Sequence, residues 1–224
     1  MSESIISIRG IKKSYGKHQV LHDVSLDIHK GDIFGLIGRN GAGKATLFKV
    51  ILGLSDFEEG SLEIAGSSTD LSIGRKKIGF LIGSNFLPYM TGRQNLEYYR
   101  TLKGIKDKKE VDRVLEIVGL KGVKTPYSKY SLGMKQRLGI ANALLGMPEI
   151  LILDEPTNGL DPQGIADVRE LIIRLKEEYG LTIIVSSHIL SELQNTANRF
   201  GIIHGGTLAD VITQEDLIAE QKTV

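Results

Sequence analysis

The feature that most constrains the fold is a glycine-rich run between an apolar segment at residues 33–37 and a helical pattern at residues 47–54. A strand, a glycine-rich loop with a lysine and a helix, in that order, are typical of a phosphate-binding loop. Glycines let backbone N–H groups turn toward phosphate oxygens, and Lys44 and the helix N-terminus add positive charge. An ordinary glycine-rich turn with an exposed lysine is the alternative. We expect a nucleoside triphosphate to bind here, through Gly38, Asn40, Gly41, Gly43, Lys44, Ala45 and Thr46.

One position of this loop departs from the usual pattern. A Ser or Thr normally follows the lysine and coordinates Mg²⁺ through its hydroxyl, but Ala45 occupies that position. Thr46 lies one residue further along the helix, about 100° around the axis, so we do not expect it to replace the missing ligand. A water in that position costs about 1–3 kcal/mol. The sequence therefore predicts intact nucleotide binding with weaker metal binding and slower turnover.

A second candidate region follows the apolar segment at residues 150–153, where Asp154 and Glu155 come directly after the predicted strand. At the end of a buried parallel strand, Asp154 is expected beside the phosphate-binding loop, where it holds Mg²⁺ through water, and Glu155 polarises an attacking water. A strand that simply meets a turn explains the same residues. The lysine-containing loop upstream favours the functional interpretation.

The hydrophobic pattern of the remaining chain predicts an α/β fold. Alternating apolar residues in the first 28 positions indicate antiparallel strands, and helical spacing over residues 92–145 indicates a helical subdomain. Two buried strands on either side of a helix, within residues 150–186, predict a parallel sheet covered by helices. Residues 199–212 predict two further strands, and residues 213–224 a short helix with a loose end.

Composition excludes several classes of protein. Lys and Arg number 28 and Asp and Glu 27, so a net charge of +1 gives no electrostatic footprint for nucleic acid, and we expect no nucleic-acid partner. The absence of cysteine excludes disulfides and thiolate metal sites. No apolar run approaches the ~18 residues needed to cross a bilayer. We expect one soluble domain over residues 1–224.

These segments resemble the ABC transporter ATPase family from end to end, and further residues match its motifs. The resemblance implies that Tyr15 stacks on adenine, and that Ser131 and Gly133 belong to the signature loop, which faces the γ-phosphate held by the other subunit. It also implies that Asp161 joins the two subunits and that His188 contacts the γ-phosphate. The ordinary alternatives are an exposed tyrosine, a helix N-cap serine and a surface histidine.

The resemblance implies a particular fold as well. It is a P-loop NTPase (RecA-like) core at about residues 1–84 and 146–212, with a parallel sheet and an N-terminal antiparallel β subdomain. A helical subdomain is inserted at about residues 85–145, and a C-terminal tail occupies residues 213–224.

A reaction and an assembly also follow from the resemblance. The family hydrolyses ATP with Mg²⁺, so Lys44, Glu155 and His188 are the expected catalytic residues and Asp154 is the expected metal ligand. Cassettes pair head to tail, as homodimers or heterodimers, on the cytoplasmic face of transmembrane permease subunits. The alternatives are a nucleotide-gated cassette with little or no ATPase activity and a non-transport ABC ATPase that acts on ribosomes or DNA.

Three departures refine this expectation. Leu132 and Met134 replace the Gly and Gln of the usual signature loop, a variant similar to cassettes of antimicrobial-peptide export and immunity, the bacitracin and lantibiotic type. Gly83 stands where the family has a Gln or Glu that contacts Mg²⁺, so Gly83 and Ala45 together predict impaired hydrolysis. We expect the apolar segment 83–90 to contact the permease; the alternative is that its aromatic residues pack into the helical subdomain.

Overall fold

The computed structural model of this chain describes residues 3–83 and 85–221. Nine strands and eight helices form in this part of the chain. The strands are β1 (Ser4–Tyr15), β2 (His18–His29), β3 (Ile33–Ile37), β4 (Glu59–Ile64), β5 (Ile78–Leu81), β6 (Ile150–Leu153), β7 (Thr182–Ser187), β8 (Arg199–His204) and β9 (Thr207–Thr213). The helices are α1 (Lys44–Leu52), α2 (Leu71–Arg75), α3 (Gly92–Leu102), α4 (Lys109–Ile117), α5 (Leu132–Leu144), α6 (Pro162–Tyr179), α7 (Leu190–Leu193) and α8 (Gln214–Gln221), with a 3-10 turn at Tyr127–Lys129.

A six-stranded sheet with the order β5-β6-β7-β3-β8-β9 forms the centre of the fold. Its strands are parallel except β9, which pairs with β8 in antiparallel fashion. Strands β6 and β7 are buried along their whole length, as their continuous apolar sequences predict for parallel strands covered on both faces. The carboxyl ends of β3, β6 and β7 therefore lie at one edge of this sheet, which confirms the predicted α/β class.

A separate three-stranded antiparallel sheet has the order β2-β1-β4. Strands β1 and β2 have 12 residues each and pair in the region where alternating apolar residues predicted antiparallel strands. Strand β4 was not predicted, because only Leu62 and Ile64 in it are buried and the rest of the strand faces solvent. The antiparallel N-terminal subdomain is otherwise confirmed.

Helix α1 lies between the two sheets. Its side chains Leu47, Phe48, Val50 and Ile51 are almost fully buried, in one cluster with apolar residues of both sheets. Each such side chain contributes about 1.5–3 kcal/mol by burial. The glycine-rich loop that precedes α1 is therefore attached to one of the best-buried helices of the molecule.

Helices α3, α4 and α5 follow β5 and precede β6, and they form the predicted helical region. Leu96, Val114 and Leu138 are fully buried in a second cluster, which also includes α6 and the other face of the parallel sheet. The boundaries of this subdomain at residues 85 and 145 stay a prediction.

Helix α8 agrees with the helix expected within residues 213–224, whose last three residues lie outside the described part of the chain. Across the described residues, we find no helix with the length and apolar character needed to cross a membrane.

Candidate active site

The glycine-rich loop leaves the carboxyl end of β3 and enters α1 directly. Gly38 packs so closely on β8 that an added Cβ would lie 2.4 Å from the carbonyl oxygen of Ile203, so only glycine fits. Gly41 and Gly43 have φ angles of 82° and 110°, in the region that favours glycine. Gly38 also donates its N–H to the carbonyl of Ser187 at the end of β7, over 3.2 Å. These contacts fix the position of the loop at the sheet edge.

The turn at Gly205 and Gly206, between β8 and β9, supports the loop from behind. The N–H of Gly206 donates to the carbonyl of Ala42 over 3.0 Å, and its carbonyl accepts from the N–H of His22 over 2.8 Å. A Cβ at Gly206 would lie 2.1 Å from the carbonyl oxygen of Val20. One turn thus connects the loop to the antiparallel sheet.

In front of the loop lies a cleft of ≈ 340 Å³. The structure brings together here most of the residues that the sequence selected, from the loop, from the end of β1 and from the end of β6. Gly38 does not line the cleft; it packs against β8 and so holds the loop in place. The lining residues are Tyr15, Val20, Arg39, Asn40, Gly41, Gly43, Lys44, Ala45, Thr46, Asp154 and Glu155.

Lys44 and Glu155 line this cleft, and His188, which does not line it, contacts Glu155 from outside. The Lys44 side chain is 6% exposed, donates to the carbonyl of Gly38, and places Nζ 3.1 Å from Oε1 of Glu155. Oε2 of Glu155 lies 2.8 Å from Nδ1 of His188. The three predicted catalytic residues, although distant in sequence, are therefore neighbours. An incoming phosphate competes with Glu155 for the Lys44 ammonium group.

Asp154 is oriented by a residue that the sequence did not reveal. The hydroxyl of Ser186, in β7, donates to Oδ1 of Asp154 over 2.7 Å and accepts from the N–H of Glu155 over 2.8 Å. Ser186 is fully buried. A hydroxyl inside an otherwise apolar strand needs a buried hydrogen-bond partner. The serine in this strand was therefore the sequence feature from which such a contact could have been predicted.

Asp154 fits a Mg²⁺ ion that binds together with a nucleotide. Mg²⁺ in such sites is usually held by one or two carboxylates, substrate phosphates and waters. In residues 3–83 and 85–221, no three His, Cys, Asp or Glu side chains cluster as a metal site, so protein groups alone do not form a cage. Ala45 faces the cleft without an oxygen ligand, and the half-buried Thr46 also lines the cleft.

Tyr15 lies at the rim of the cleft, at the end of β1. Its side chain is 48% exposed, and its hydroxyl is 3.3 Å from Oγ of Ser55. The Lys13 ammonium lies 5.2 Å from the ring centroid. The ring is thus available for stacking from the solvent side.

The residues of the predicted subunit interface lie in a second cleft, of ≈ 380 Å³. Ser131 and Asp161 begin α5 and α6 as N-caps, accepting hydrogen bonds of 3.2 Å from Met134 and Gly164 respectively, and Gly133 lies beside them. The N-cap alternative for Ser131 is therefore correct, and it is compatible with an anion site at a helix N-terminus. No residue described as lining one cleft also lines the other.

The family of this chain follows from its match to a known family model. Residues 21–158, more than half of the chain, match the family model described as "ABC transporter". The chain belongs to this family. It is an ATP-binding subunit of the ABC transporter type.

The relatives of this cassette agree with the subgroup suggested by its signature loop. It is 45% identical to the bacitracin transport ATP-binding protein BcrA of Bacillus licheniformis, over 96% of this chain and 71% of the relative. It is 43% identical to the lantibiotic transport ATP-binding protein SrtF of Streptococcus pyogenes, over 91% of this chain and 89% of the relative. The predicted resemblance to the bacitracin and lantibiotic type is confirmed.

Solved structures give the same fold. The cassette MJ0796, in a dimeric post-hydrolysis state with ADP and Pi, has a TM-score of 0.82 and 26% identity over 93% of this chain and 98% of that chain. The cbiO1 protein of Clostridium perfringens superposes with a TM-score of 0.89 over 99% of this chain and 93% of that chain, and at 24% identity it shows the fold alone. The P-loop NTPase fold predicted for the cassette is thereby confirmed.

The unusual signature residue of the cassette, Leu132, packs across the second cleft. A Cβ at Gly159 would lie 3.2 Å from Cδ2 of Leu132, although the Leu132 side chain remains 47% exposed. Gly159 has a φ angle of 77°, so both its conformation and this contact favour glycine. The signature loop and the segment before α6 are therefore in contact within one chain.

The described residues of segment 83–90 divide into an inward and an outward part. Phe86 is buried, with its ring 5.6 Å from Tyr99 and 5.2 Å from Tyr127, so for this residue the packing alternative is correct. Tyr89 is 72% exposed and remains available to a partner. Gly83 is exposed and has a φ angle of 65°, which a longer side chain would adopt only with strain.

Proposed function

We propose that this cassette hydrolyses ATP in a head-to-tail dimer and so drives a transmembrane permease. The observation that carries the proposal is the series of contacts from Lys44 to Glu155 to His188, in which Lys44 and Glu155 line a cleft bordered by the glycine-rich loop. Phosphoryl transfer needs positioning and neutralisation of charge more than covalent chemistry. The side chains gathered in the cleft supply both.

Each side chain then has a definite task. Lys44 binds the outer phosphate oxygens, and the loop N–H groups hold the inner ones. Glu155 orients a water and accepts its proton as the water oxygen attacks the γ-phosphorus and the bond to the β–γ bridging oxygen breaks, giving ADP and phosphate. His188 holds the Glu155 carboxylate by its 2.8 Å contact, and the resemblance to the family implies that it also contacts the γ-phosphate. Asp154 would hold a Mg²⁺ ion, which would neutralise charge on the phosphates when bound.

A second cassette completes the site. Ser131 and Gly133 lie in a cleft distinct from the one that contains Lys44, and that cleft ends in two helix N-termini that suit an anion. A head-to-tail arrangement brings the signature cleft of one subunit onto the nucleotide of the other. Homodimers and heterodimers both satisfy this geometry.

The permease partner is proposed to dock at segment 83–90 from the membrane side, which places the cassette on the inner face of the membrane. Tyr89 offers exposed aromatic surface there. Asn95, fully buried, holds Leu87 of this segment, because its amide accepts from the N–H of Leu87 over 2.7 Å and donates to the Leu87 carbonyl over 3.1 Å. The names of the relatives extend the proposal to export of, or immunity to, antimicrobial peptides.

The two departures in metal ligands are proposed to slow hydrolysis without abolishing ATP binding. Ala45 removes one hydroxyl ligand, and Gly83 removes a polar side chain near the same edge of the sheet. Lys44, Asp154 and Glu155 remain in the cleft. Turnover, rather than affinity for ATP, is therefore the quantity that these positions limit.

The test measures Mg²⁺-dependent ATP hydrolysis and ATP affinity of the wild-type chain, Ala45→Ser and Glu155→Gln. We expect Ala45→Ser to raise kcat at least tenfold, equivalent to ~1.4 kcal/mol, and Glu155→Gln to bind ATP without hydrolysing it. If all three bind ATP and none hydrolyses it, alone or with a permease, the proposal is wrong and the cassette is a nucleotide-gated subunit.

A further inference from the structure

A carboxylate outside the nucleotide cleft joins the two segments that carry the catalytic pair. Oε2 of Glu192, in α7, accepts a hydrogen bond of 2.8 Å from Oγ1 of Thr157 and one of 3.0 Å from Oγ of Ser187. Ser187 Oγ in turn accepts from the N–H of Ile189 over 3.0 Å. Ser187 is fully buried and Thr157 is 7% exposed, so water does not readily replace these bonds.

The two hydroxyls belong to residues that are close in sequence to the predicted catalytic residues Glu155 and His188. Thr157 lies two residues after Glu155, and Ser187 lies one residue before His188. The Glu192 carboxylate therefore connects the segment after β6 with the end of β7 without lining the nucleotide cleft. The contact between Glu155 and His188, at 2.8 Å, joins the same two parts of the chain, and Glu155 lines the cleft.

The backbone of Glu155 shows why such a connection is needed. Its φ angle is 48°, in the left-handed region, which is unfavourable for a residue with a side chain. Strained conformations of this kind persist only when surrounding contacts determine them. Ser186 holds the N–H of Glu155, and the carbonyl of Glu155 accepts from Asn158 over 3.2 Å. The bond from Thr157 to Glu192 is the side-chain contact that fixes the far end of this turn.

We propose that Glu192 is a positioning residue for ATP hydrolysis. Through the Thr157 and Ser187 hydroxyls, it keeps Glu155 and His188 in contact with each other. This inference rests on the proposed ATPase function. Glu192 does not line the nucleotide cleft, so its effect falls on turnover and not on ATP binding. A residue that merely stabilises the fold would instead lower the melting temperature without separating kcat from KM.

The kinetic test compares Glu192→Ala, Glu192→Gln and Thr157→Val with Glu177→Ala, a control at an exposed position of α6. Glutamine keeps an oxygen that accepts both hydroxyl protons, whereas alanine keeps none. We expect Glu192→Ala and Thr157→Val to lower kcat at least tenfold with KM unchanged. We expect Glu192→Gln to stay within threefold of wild type and Glu177→Ala to equal it. A kcat for both Glu192→Ala and Thr157→Val equal to that of Glu177→Ala overturns the inference.

A spectroscopic measurement separates this inference from the proposed function. The ring N–H signals of His188 are followed by two-dimensional NMR without nucleotide, and His188→Asn identifies them among the five histidines. We expect Glu192→Ala to shift or broaden the His188 signal and Glu192→Gln to retain it. If the wild-type chain hydrolyses no ATP, the ATPase proposal fails. The His188 signal alone then tests whether Glu192 positions His188. An unchanged His188 signal in both Glu192→Ala and Thr157→Val refutes the positioning role. If alanine prevents folding, Thr157→Val supplies the same test.

Discussion

Replacement of Ser186 by alanine removes two side-chain hydrogen bonds between β7 and the two residues that follow β6. Its hydroxyl donates to Asp154 over 2.7 Å and accepts from the N–H of Glu155 over 2.8 Å. An intramolecular hydrogen bond contributes about 0.5–1.5 kcal/mol, one to a charged group about 1.5–3 kcal/mol, and a donor left without a partner costs more. Because both bonds are only partly buried, we expect a loss of about 3 kcal/mol in the free energy of unfolding.

The loss is measurable by thermal unfolding of the protein without nucleotide. For a domain of this size, about 3 kcal/mol lowers Tm by roughly 6–12 °C. Ser191→Ala, at an exposed position of α7, is the matched control and is expected to change Tm by less than 2 °C, since surface substitutions are usually within about 0.5 kcal/mol.

The same variant also tests the metal site. With Asp154 no longer oriented, we expect the Mg²⁺ concentration at half-maximal ATPase activity to rise in Ser186→Ala, while metal-free ATP affinity stays the same. A Tm within 2 °C of wild type, together with an unchanged Mg²⁺ dependence, would refute the assignment of Ser186 as the residue that holds Asp154.

Two further predictions follow from geometry and charge. Gly38→Ala places a Cβ 2.4 Å from the Ile203 carbonyl oxygen and must displace the loop, so we expect calorimetry to show at least tenfold weaker ATP binding; unchanged affinity would contradict the rigid loop. Burial raises the pKa of Asp27, but hydrogen bonds from Arg9 and Ser7 outweigh this and lower it overall. A lowered folded-state pKa contributes stability that is present above about pH 4 and is lost as pH falls through the folded-state pKa. Denaturant unfolding between about pH 4 and 2 should therefore show a steeper loss of stability for wild type than for Asp27→Asn, and parallel curves would contradict the ion pair.

Much of the nucleotide cleft could be predicted from sequence because its determinants are local. The apolar strand β3, the glycines of the loop and the helical spacing of α1 are adjacent in the chain, and each satisfies a strong physical requirement. Asp154 and Glu155 were predicted for the same reason, since they follow an uninterrupted buried strand. The wider roles of Ser131 and His188 depended on resemblance to a family.

The elements that were missed carry weak local signals. Strand β4 buries only Leu62 and Ile64, and α2 has five residues, fewer than two helical turns. Ser186, Ser187 and Glu192 were missed for a different reason. These residues make side-chain hydrogen bonds between β7, α7 and the segment that follows β6. Such contacts depend on the order of the strands in the sheet, which hydrophobic periodicity does not specify.

The turn at Gly205 and Gly206 has a consequence for tolerance of sequence change. Surface turns between two antiparallel strands usually accept insertions, because their backbone faces water. Here one residue of the turn makes backbone hydrogen bonds to both Ala42 and His22, and no side chain fits beside Val20. An added residue would displace Gly206 and break its hydrogen bonds to the phosphate-binding loop and to the antiparallel sheet. A turn that contains no expected catalytic residue is thus restricted in length by the backbone contacts of Gly206.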